Sequence, residues 1–358
     1  MKIAIDASAL TDAETNPRVL QLSAQLSLWH AAGEELILIH RPEAAGEIPA
    51  HAQSLLLRSQ IGPWKLLALE AWELPRRAAQ AGAEALYCPD SRAPLSSPIP
   101  VVVALSARNQ RVSSVTGRIR RAVGQAGLRG AAALLWPSDL PRSSRVHPAT
   151  RAMPPFVGPG FAPAVASTDA EQRARHGLKV GYSLAFCTTD DELRILLGAW
   201  SWVAAAVGDD YPLVILGRGD WSDKKRAIET NAGKTSGGLR YLDGVSLEEL
   251  AALYRGADVF LHAGMTDTGQ ELRWALACGL PLAGMETPAV ASVVGEAGYL
   301  VPPPDTRALG AACLSLIVEP ALSETLKQKG LERAMVYHAP GSRRAWAEVF
   351  RSVRQAAA

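Results

Sequence analysis

The sequence has no run approaching the roughly 20 consecutive apolar residues that a helix needs to span a bilayer, and its 358 residues hold only four cysteines. Cys88, Cys187, Cys278 and Cys313 are far apart and each sits in or beside an apolar run. Neither a disulfide framework nor zinc-ligand spacing is present, and buried free thiols in a reducing compartment are expected. Charge of one sign is also lacking. With 37 basic and 35 acidic residues the formal net charge is +2, so bulk electrostatics give no reason to expect a nucleic-acid partner. Internal repeats and low-complexity tracts are missing. The opening MKIAIDASAL is interrupted by Asp6 and no signal-type cleavage site follows, which points to a cytoplasmic chain with peripheral membrane contact left open.

What is present suits a large globular protein. Hydrophobic residues make up 48% and charged residues 20%, enough apolar matter for two cores, and the length fits two domains. Short β-rich runs alternate with helical segments. In the first half the strands are read at Lys2–Asp6, Leu36–His40, Ser54–Arg58, Ala85–Cys88, Val101–Leu105 and Leu134–Pro137, with helices over Pro17–Ala32 and Trp64–Ala81. In the second half strands are read at Ser183–Cys187, Leu213–Gly217, Leu239–Leu242, Val259–His262, Pro281–Ala283 and Tyr299–Val301. Helices are read there at Glu192–Ala205, Leu247–Gly256, Leu272–Cys278 and Thr306–Val318. Such alternation predicts parallel sheets covered on both faces, an α/β protein of two Rossmann-like domains facing a cleft. The stretch MPPFVGPGFAP (Met153–Pro163), dense in Pro and Gly, reads as the linker. The expected domains are therefore 1–155, 156–340 and a C-terminal helix over 341–358 packing back on the first domain. Two last helices, Leu322–Tyr337 and Ser342–Gln355, are separated by a break at Pro340 and Gly341, and Trp346 and Phe350 share a face of the second.

The second half also carries motifs. YLDGVSLEELAALYRGADVFLH (Tyr241–His262) has a Gly turn, a short acidic helix and YRGADVF before a strand; WALACGLPLAG (Trp274–Gly284) and VVGEAGYLVPPPDTRALGAAC (Val293–Cys313) follow. These resemble, in order, the pattern of glycosyltransferase family 4, including its "EAMACGTPVVA" and "VVGDAGLLVDPEDPEALAEAL" segments. RARHGLKVGYSLAFC (Arg173–Cys187) looks like the opening of that family's donor domain, and the first half fits more loosely through MKIAIDASAL and LYCPDSRAPLSSPIPVVVAL (Leu86–Leu105). The resemblance implies the GT-B fold and retaining transfer of a sugar from a nucleotide-sugar donor to a saccharide or lipid-linked acceptor, with no metal or other cofactor. Fold does not settle activity, and a silent homologue acting as a binding or partner subunit of another glycosyltransferase is the alternative.

Such chemistry needs cations and N–H groups for the leaving diphosphate, and carboxylates or carbonyls for ribose and sugar. The family spreads these duties over five places, and here several differ. The loop after the first strand, TDAETNPR (Thr11–Arg18), has no glycine; Asn16 and Pro17 read as a helix start, and Arg18 keeps the anion-facing position. Where the family has histidines in the acceptor half, this chain has Asp90, either a sugar acceptor or a turn cap, and Ser106. The basic pair after the first strand of the donor half is replaced in CTTDDELR (Cys187–Arg194) by Asp190 and Asp191. These either repel a diphosphate or begin a helix; Arg194 is the remaining cation. In the segment matching the E-x7-E motif, MTDTGQELRWALACG (Met265–Gly279), Trp274 stands on the second glutamate and offers no acceptor. Asp267 or Thr266 stands near the first, Glu271 is a further carboxylate, and Gly269 begins the helix with free N–H groups. Finally, LVILGRGDW (Leu213–Trp221) places Gly217 and Gly219 after a strand, at the family's G-x-G turn, which alone is also a common tight turn. The candidate set is thus Asp267, Glu271, Asp90 and Ser106 for chemistry and Arg18, Gly217, Gly219, Arg194, Gly269 and Trp274 for the donor.

Residues Ala107–Gly130 hold Arg108, Arg111, Arg118, Arg120, Arg121 and Arg129 without an acidic residue. They form either a solvated helix face or a contact with anionic lipid. His262, at a strand end, has no second metal ligand at useful spacing and is read as a core or cleft-lining residue.

Overall fold

The computed structural model describes residues 1–8, 17–40, 52–57, 62–89, 91–105, 115–141, 150–158, 160–208, 210–217, 238–264, 268–337 and 339–357. The chain divides into two compact units. One is built mainly from residues up to Phe156 together with the segment from Ala339 onward, the other from Val157–His338.

The first unit contains a parallel sheet of seven strands: β1 (Lys2–Asp6), β2 (Glu35–His40), β3 (Gln53–Leu56), β4 (Ala85–Cys88), β5 (Val101–Ala104), β6 (Ala133–Pro137) and β7 (Arg151–Met153). Their order is β3-β2-β1-β4-β5-β6-β7. The central strands have apolar interiors, as burial on both faces demands: Ile3, Ala4, Ile5, Leu86, Val102 and Val103 are fully buried. Between β1 and β2 lies α1 (Pro17–Ala31). The segment read as one helix from Trp64 is continuous but not uniform. It comprises α2 (Pro63–Ala68), a π-helical turn (Leu69–Glu73) and α3 (Leu74–Gln80). A helix not assigned from sequence, α4 (Val115–Gly127), precedes β6. It packs closely because Gly124 and Gly127 lie against Arg92 and the Ala93 carbonyl; a Cβ at Gly127 would sit 2.3 Å from that oxygen.

The second unit repeats the theme with six strands: β8 (Ser183–Cys187), β9 (Leu213–Gly217), β10 (Leu239–Leu242), β11 (Val259–His262), β12 (Leu282–Met285) and β13 (Gly298–Val301). Their order is β10-β9-β8-β11-β12-β13, again parallel throughout. Its helices are α5 (Asp169–Arg175), α6 (Asp190–Val207), α7 (Leu247–Gly256), α8 (Gln270–Cys278), α9 (Pro288–Val294), α10 (Thr306–Val318) and α11 (Pro320–Ala334). Two capping boxes set helix starts: Thr189 with Glu192 on α6 and Ser246 with Glu249 on α7.

Two sequence expectations are corrected. Met153, read as the start of the linker, ends β7, an edge strand in which Arg151 and Ala152 are exposed. Pro340 and Gly341 do not break the chain but lie in the first turn of α12 (Ala339–Ala357), where a proline's missing N–H costs nothing. Helix α12 belongs to the first unit. Its Trp346 and Phe350 pack edge-on to Trp29, with ring centroids 5.1 and 5.3 Å away, and Tyr87 meets Trp29 at 4.9 Å. All four cysteines are free and buried. Among the described residues no single helix is long and apolar enough to cross a membrane.

Candidate functional site

In open α/β sheets ligands bind beyond the carboxyl ends of the strands, so the described residues after β8 and β11 make the candidate site of the second unit; the segment after β9 lies outside the described residues. After β8 the chain turns directly into α6. Glu192, buried at 4% exposure, folds back so that its Oε2 accepts from the Thr188 N–H (2.6 Å), the Thr188 hydroxyl (2.9 Å) and the Thr189 N–H (2.9 Å). The Thr189 hydroxyl in turn accepts from the Glu192 N–H at 3.3 Å. The N–H groups best placed to receive an anion on this loop are therefore held by a carboxylate of the chain itself. Asp190 and Asp191 are exposed residues of the first helical turn, where the helix dipole favours them. Arg194 pairs with Asp191 at 2.7 Å across a solvent-exposed surface.

The loop after β11 leads to α8 through Gly264 (φ 90°) and Gly269 (φ 73°), both in the left-handed region that glycine enters without strain. Helix α8 begins at Gly269, which is in the left-handed region. Its first residues are polar yet buried: Gln270, Glu271 and Arg273 are all under 6% exposed. His262 Nδ1 accepts from the Gly264 N–H at 3.1 Å, which leaves the proton on Nε2. Nε2 lies 3.6 Å from Glu271 Oε1. The Thr268 hydroxyl, 7% exposed, has no hydrogen-bond partner among the described residues. Arg273 donates to Gln270 Oε1 at 3.3 Å and its guanidinium lies 5.7 Å from the centre of the Tyr337 ring.

Trp274 is fully buried. Its ring stacks on Phe161 at 4.8 Å and 15°, and Tyr254 meets it edge-on at 6.2 Å. Where the resemblance places a ribose-binding carboxylate there is instead an aromatic core. Gly217 lies close to Tyr241: a Cβ there would sit 2.3 Å from the Tyr241 hydroxyl, so packing also favours glycine at this position. Arg18 lies in the first turn of α1; its side chain, and Asp90, Ser106, Gly219 and Asp267, lie outside the described residues. Of the sequence candidates, the structure thus brings Glu271 and Gly269 to one place, beside His262 and Thr268, and puts Arg194 on the surface.

The sequence reading did not single out Glu192, Gln270, Arg273 or Thr268. Glu192 was legible as the fourth residue of a T-x-x-E capping box. The others had no signal of their own, because a polar residue on a helical stretch normally reads as solvated.

The first unit has a small cleft of its own, where Leu67, Leu74 and Val123 line the walls together with Asp6, Glu70, Arg92 and Arg120. Burial, and then the neighbouring Glu70, hold the Asp6 carboxyl above the usual range. Arg120 clasps Glu70 through both Nε and Nη2. No group of three metal-ligating side chains exists among the described residues.

Comparison with known proteins places this geometry. Residues 178–319, less than half of the chain, match the family described as glycosyl transferases group 1. The O-antigen chain mannosyltransferase B of Escherichia coli is 29% identical over 157 residues, 43% of this chain and 41% of that protein. A phosphatidyl-myo-inositol mannosyltransferase of Mycobacterium leprae is 32% identical over 167 residues, 44% and 43% of the two chains. The match thus spans less than half the length of these relatives. Among solved structures, Anabaena HepE in complex with UDP and glucose superposes with a TM-score of 0.73 at 14% identity, covering 98% of this chain and 100% of that one. WaaG, a glycosyltransferase involved in lipopolysaccharide biosynthesis, gives 0.70 at 12% over 98% and 99%. At such identities the likeness is one of fold. The chain is therefore a glycosyltransferase-like protein of GT-B fold, whose second half carries the match to group 1 glycosyl transferases.

Proposed function

We propose that this chain transfers a sugar, with retention, from a nucleotide-sugar donor to a glycan or lipid-linked acceptor, without a metal, at the cytoplasmic face of a membrane. The observation that carries this is the start of α8. Helix α8 opens at Gly269, where its dipole favours an anion, and Glu271, His262 and Thr268 belong to the same strand end and helix start as acceptors and donors for hydroxyl groups. The mannosyltransferase relatives match 43% and 44% of the chain. Peripheral membrane contact through Arg108–Arg129 belongs to the same reading. Arg18, at the start of α1, is a cation this reading offers to the diphosphate.

A second reading is favoured by the β8–α6 loop. Glu192 occupies the Thr188 and Thr189 N–H groups and Arg194 pairs with Asp191, which disfavours a pyrophosphate on this loop. The chain would then be a silent homologue serving as partner to another transferase. Removing one preorganised charge-stabilising group commonly costs about 100-fold in rate or more, so turnover of a standard nucleotide-sugar is slow on either reading. Calorimetry with UDP and GDP separates them. Binding that is lost on Arg18→Ala and weakened by Glu271→Gln supports transfer. Absence of binding for both nucleotides at millimolar concentration sinks transfer and leaves the partner role.

A further inference from the structure

Thr188, Thr189, Thr268 and Thr287 follow the carboxyl ends of β8, β11 and β12 in the second sheet. Three of their hydroxyls are engaged within the chain. Thr188 donates to Glu192 Oε2 at 2.9 Å, and Thr189 accepts from the Glu192 N–H at 3.3 Å. Thr287 donates to the Gly264 carbonyl at 2.9 Å and accepts from the Val290 N–H at 3.3 Å, which caps α9. The Thr268 hydroxyl is different. It has no partner among the described residues, although Thr268 is only 7% exposed.

A hydroxyl withdrawn from water without a replacement bond is a net cost to the fold, and buried polar groups in native chains are as a rule bonded. The polar groups that follow on α8 have bonds of their own. Gln270 Oε1 accepts from Arg273 at 3.3 Å, and the Glu271 carbonyl accepts from the Tyr254 hydroxyl at 3.1 Å. Valine has the same β-branched shape and would fill position 268 without that cost. What distinguishes the position is its place in the chain. Thr268 directly precedes Gly269, the N-cap of α8, where a φ of 73° turns the backbone into the helix. The positive end of the helix dipole lies there. A ligand drawn to it brings oxygens within reach of a side chain one residue away, and rotation about χ1 between staggered positions re-aims the hydroxyl.

We propose that Thr268 is a specificity-determining residue whose hydroxyl, unpartnered within the chain, bonds an oxygen of the nucleotide-sugar, on its diphosphate or on its sugar. This rests on the preceding reading, in which that ligand binds at the start of α8, and adds the residue that discriminates among ligands. A site that spends a buried hydroxyl on one ligand oxygen rejects an analogue lacking it, because the hydroxyl then stays unbonded. Stability and affinity therefore pull against each other at position 268: the hydroxyl lowers the first and raises the second.

The test is thermal unfolding of the full chain without ligand, together with calorimetry against UDP, GDP, UDP-glucose and GDP-mannose. Parent, Thr268→Val and Thr268→Ser are compared. Thr268→Val should melt about 2 °C or more above the parent and bind about tenfold or more weakly. Thr268→Ser keeps the hydroxyl and should bind within about threefold of the parent. A loss shared by the nucleotides and the nucleotide-sugars assigns the oxygen to the diphosphate; a loss confined to UDP-glucose and GDP-mannose assigns it to the sugar. A residue that only supports the fold would lose stability and affinity together, so Thr268→Val melting at or below the parent overturns the proposal. Undiminished binding by Thr268→Val also overturns it and leaves the transfer reading standing. Absence of binding by the parent to all four ligands strikes the transfer reading itself, and this inference with it.

Discussion

Phe161 and Trp274 stack face to face, 4.8 Å apart and 15° from parallel, in the core of the second unit. Position 274 is thereby committed to packing. Trp274→Ala should cost about 3–5 kcal/mol through lost burial and the cavity left behind. Trp274→Glu, which writes in a carboxylate, should cost at least as much, because the new charge is buried without a partner. Urea denaturation of both variants checks this; gain of nucleotide binding by the glutamate variant at unchanged stability would contradict it.

Glu192 holds three donors of the β8–α6 loop on one oxygen. Glu192→Ala should lower stability by about 1–3 kcal/mol, the cost of a lost cap together with stranded donors. Glu192→Gln keeps an accepting oxygen and should lose less. Thermal unfolding of the pair gives the ranking, and equal melting of both variants with the parent would show that the cap contributes nothing.

Asp169 accepts from Arg255 at 2.6 and 2.5 Å in a pair shielded from solvent. Arg255 also reaches the Gly160 carbonyl. Its hydrogen bonds hold the Asp169 carboxyl below the usual carboxylate range. A depressed folded-state value means stability fully present above the unfolded-state value of about 3.9 and lost as pH falls through the lower folded-state one. Asp169→Asn should cost about 3–5 kcal/mol at neutral pH, since it strands a buried guanidinium. The deficit relative to the parent should shrink as pH drops below 4 in a series of denaturant titrations.

Asp6 behaves oppositely. Burial first, and Glu70 second, raise its carboxyl above the usual range. The folded chain therefore binds a proton more tightly than the unfolded one there, and stability is lost as pH rises through the folded-state value. Asp6→Asn retains an acceptor for the Ser8 N–H and should melt at a higher temperature than the parent at pH 7. That advantage should disappear at acid pH; a lower melting temperature at pH 7 would refute the assignment.

Much of this architecture is legible in the amino-acid order. Ser183–Cys187, Leu213–Gly217 and Val259–His262 emerge as strands over the residues expected, because a parallel strand buried on both faces is a bare apolar run between turn residues. Arg151–Met153 is not recognisable, since a three-residue edge strand with two exposed side chains has no such run and adjoins a proline-rich stretch. The site is less legible than the fold for a related reason. Asp190 and Asp191 show in the sequence as two charges of unresolved direction, and only the fold-back of Glu192 reveals that the loop N–H groups are already occupied. The burial of Trp274 depends on Phe161, far along the chain, and no local pattern announces such a partnership.

The aromatic cluster of Trp29, Tyr87, Trp346 and Phe350 joins the beginning of the chain to its end. While the protein is being synthesised, the first sheet emerges long before the helix that completes its core. A fragment ending near Phe156 would expose the indole of Trp29 and the ring of Tyr87, and the tail, supplied separately as a peptide, becomes the natural complement for that half-built unit.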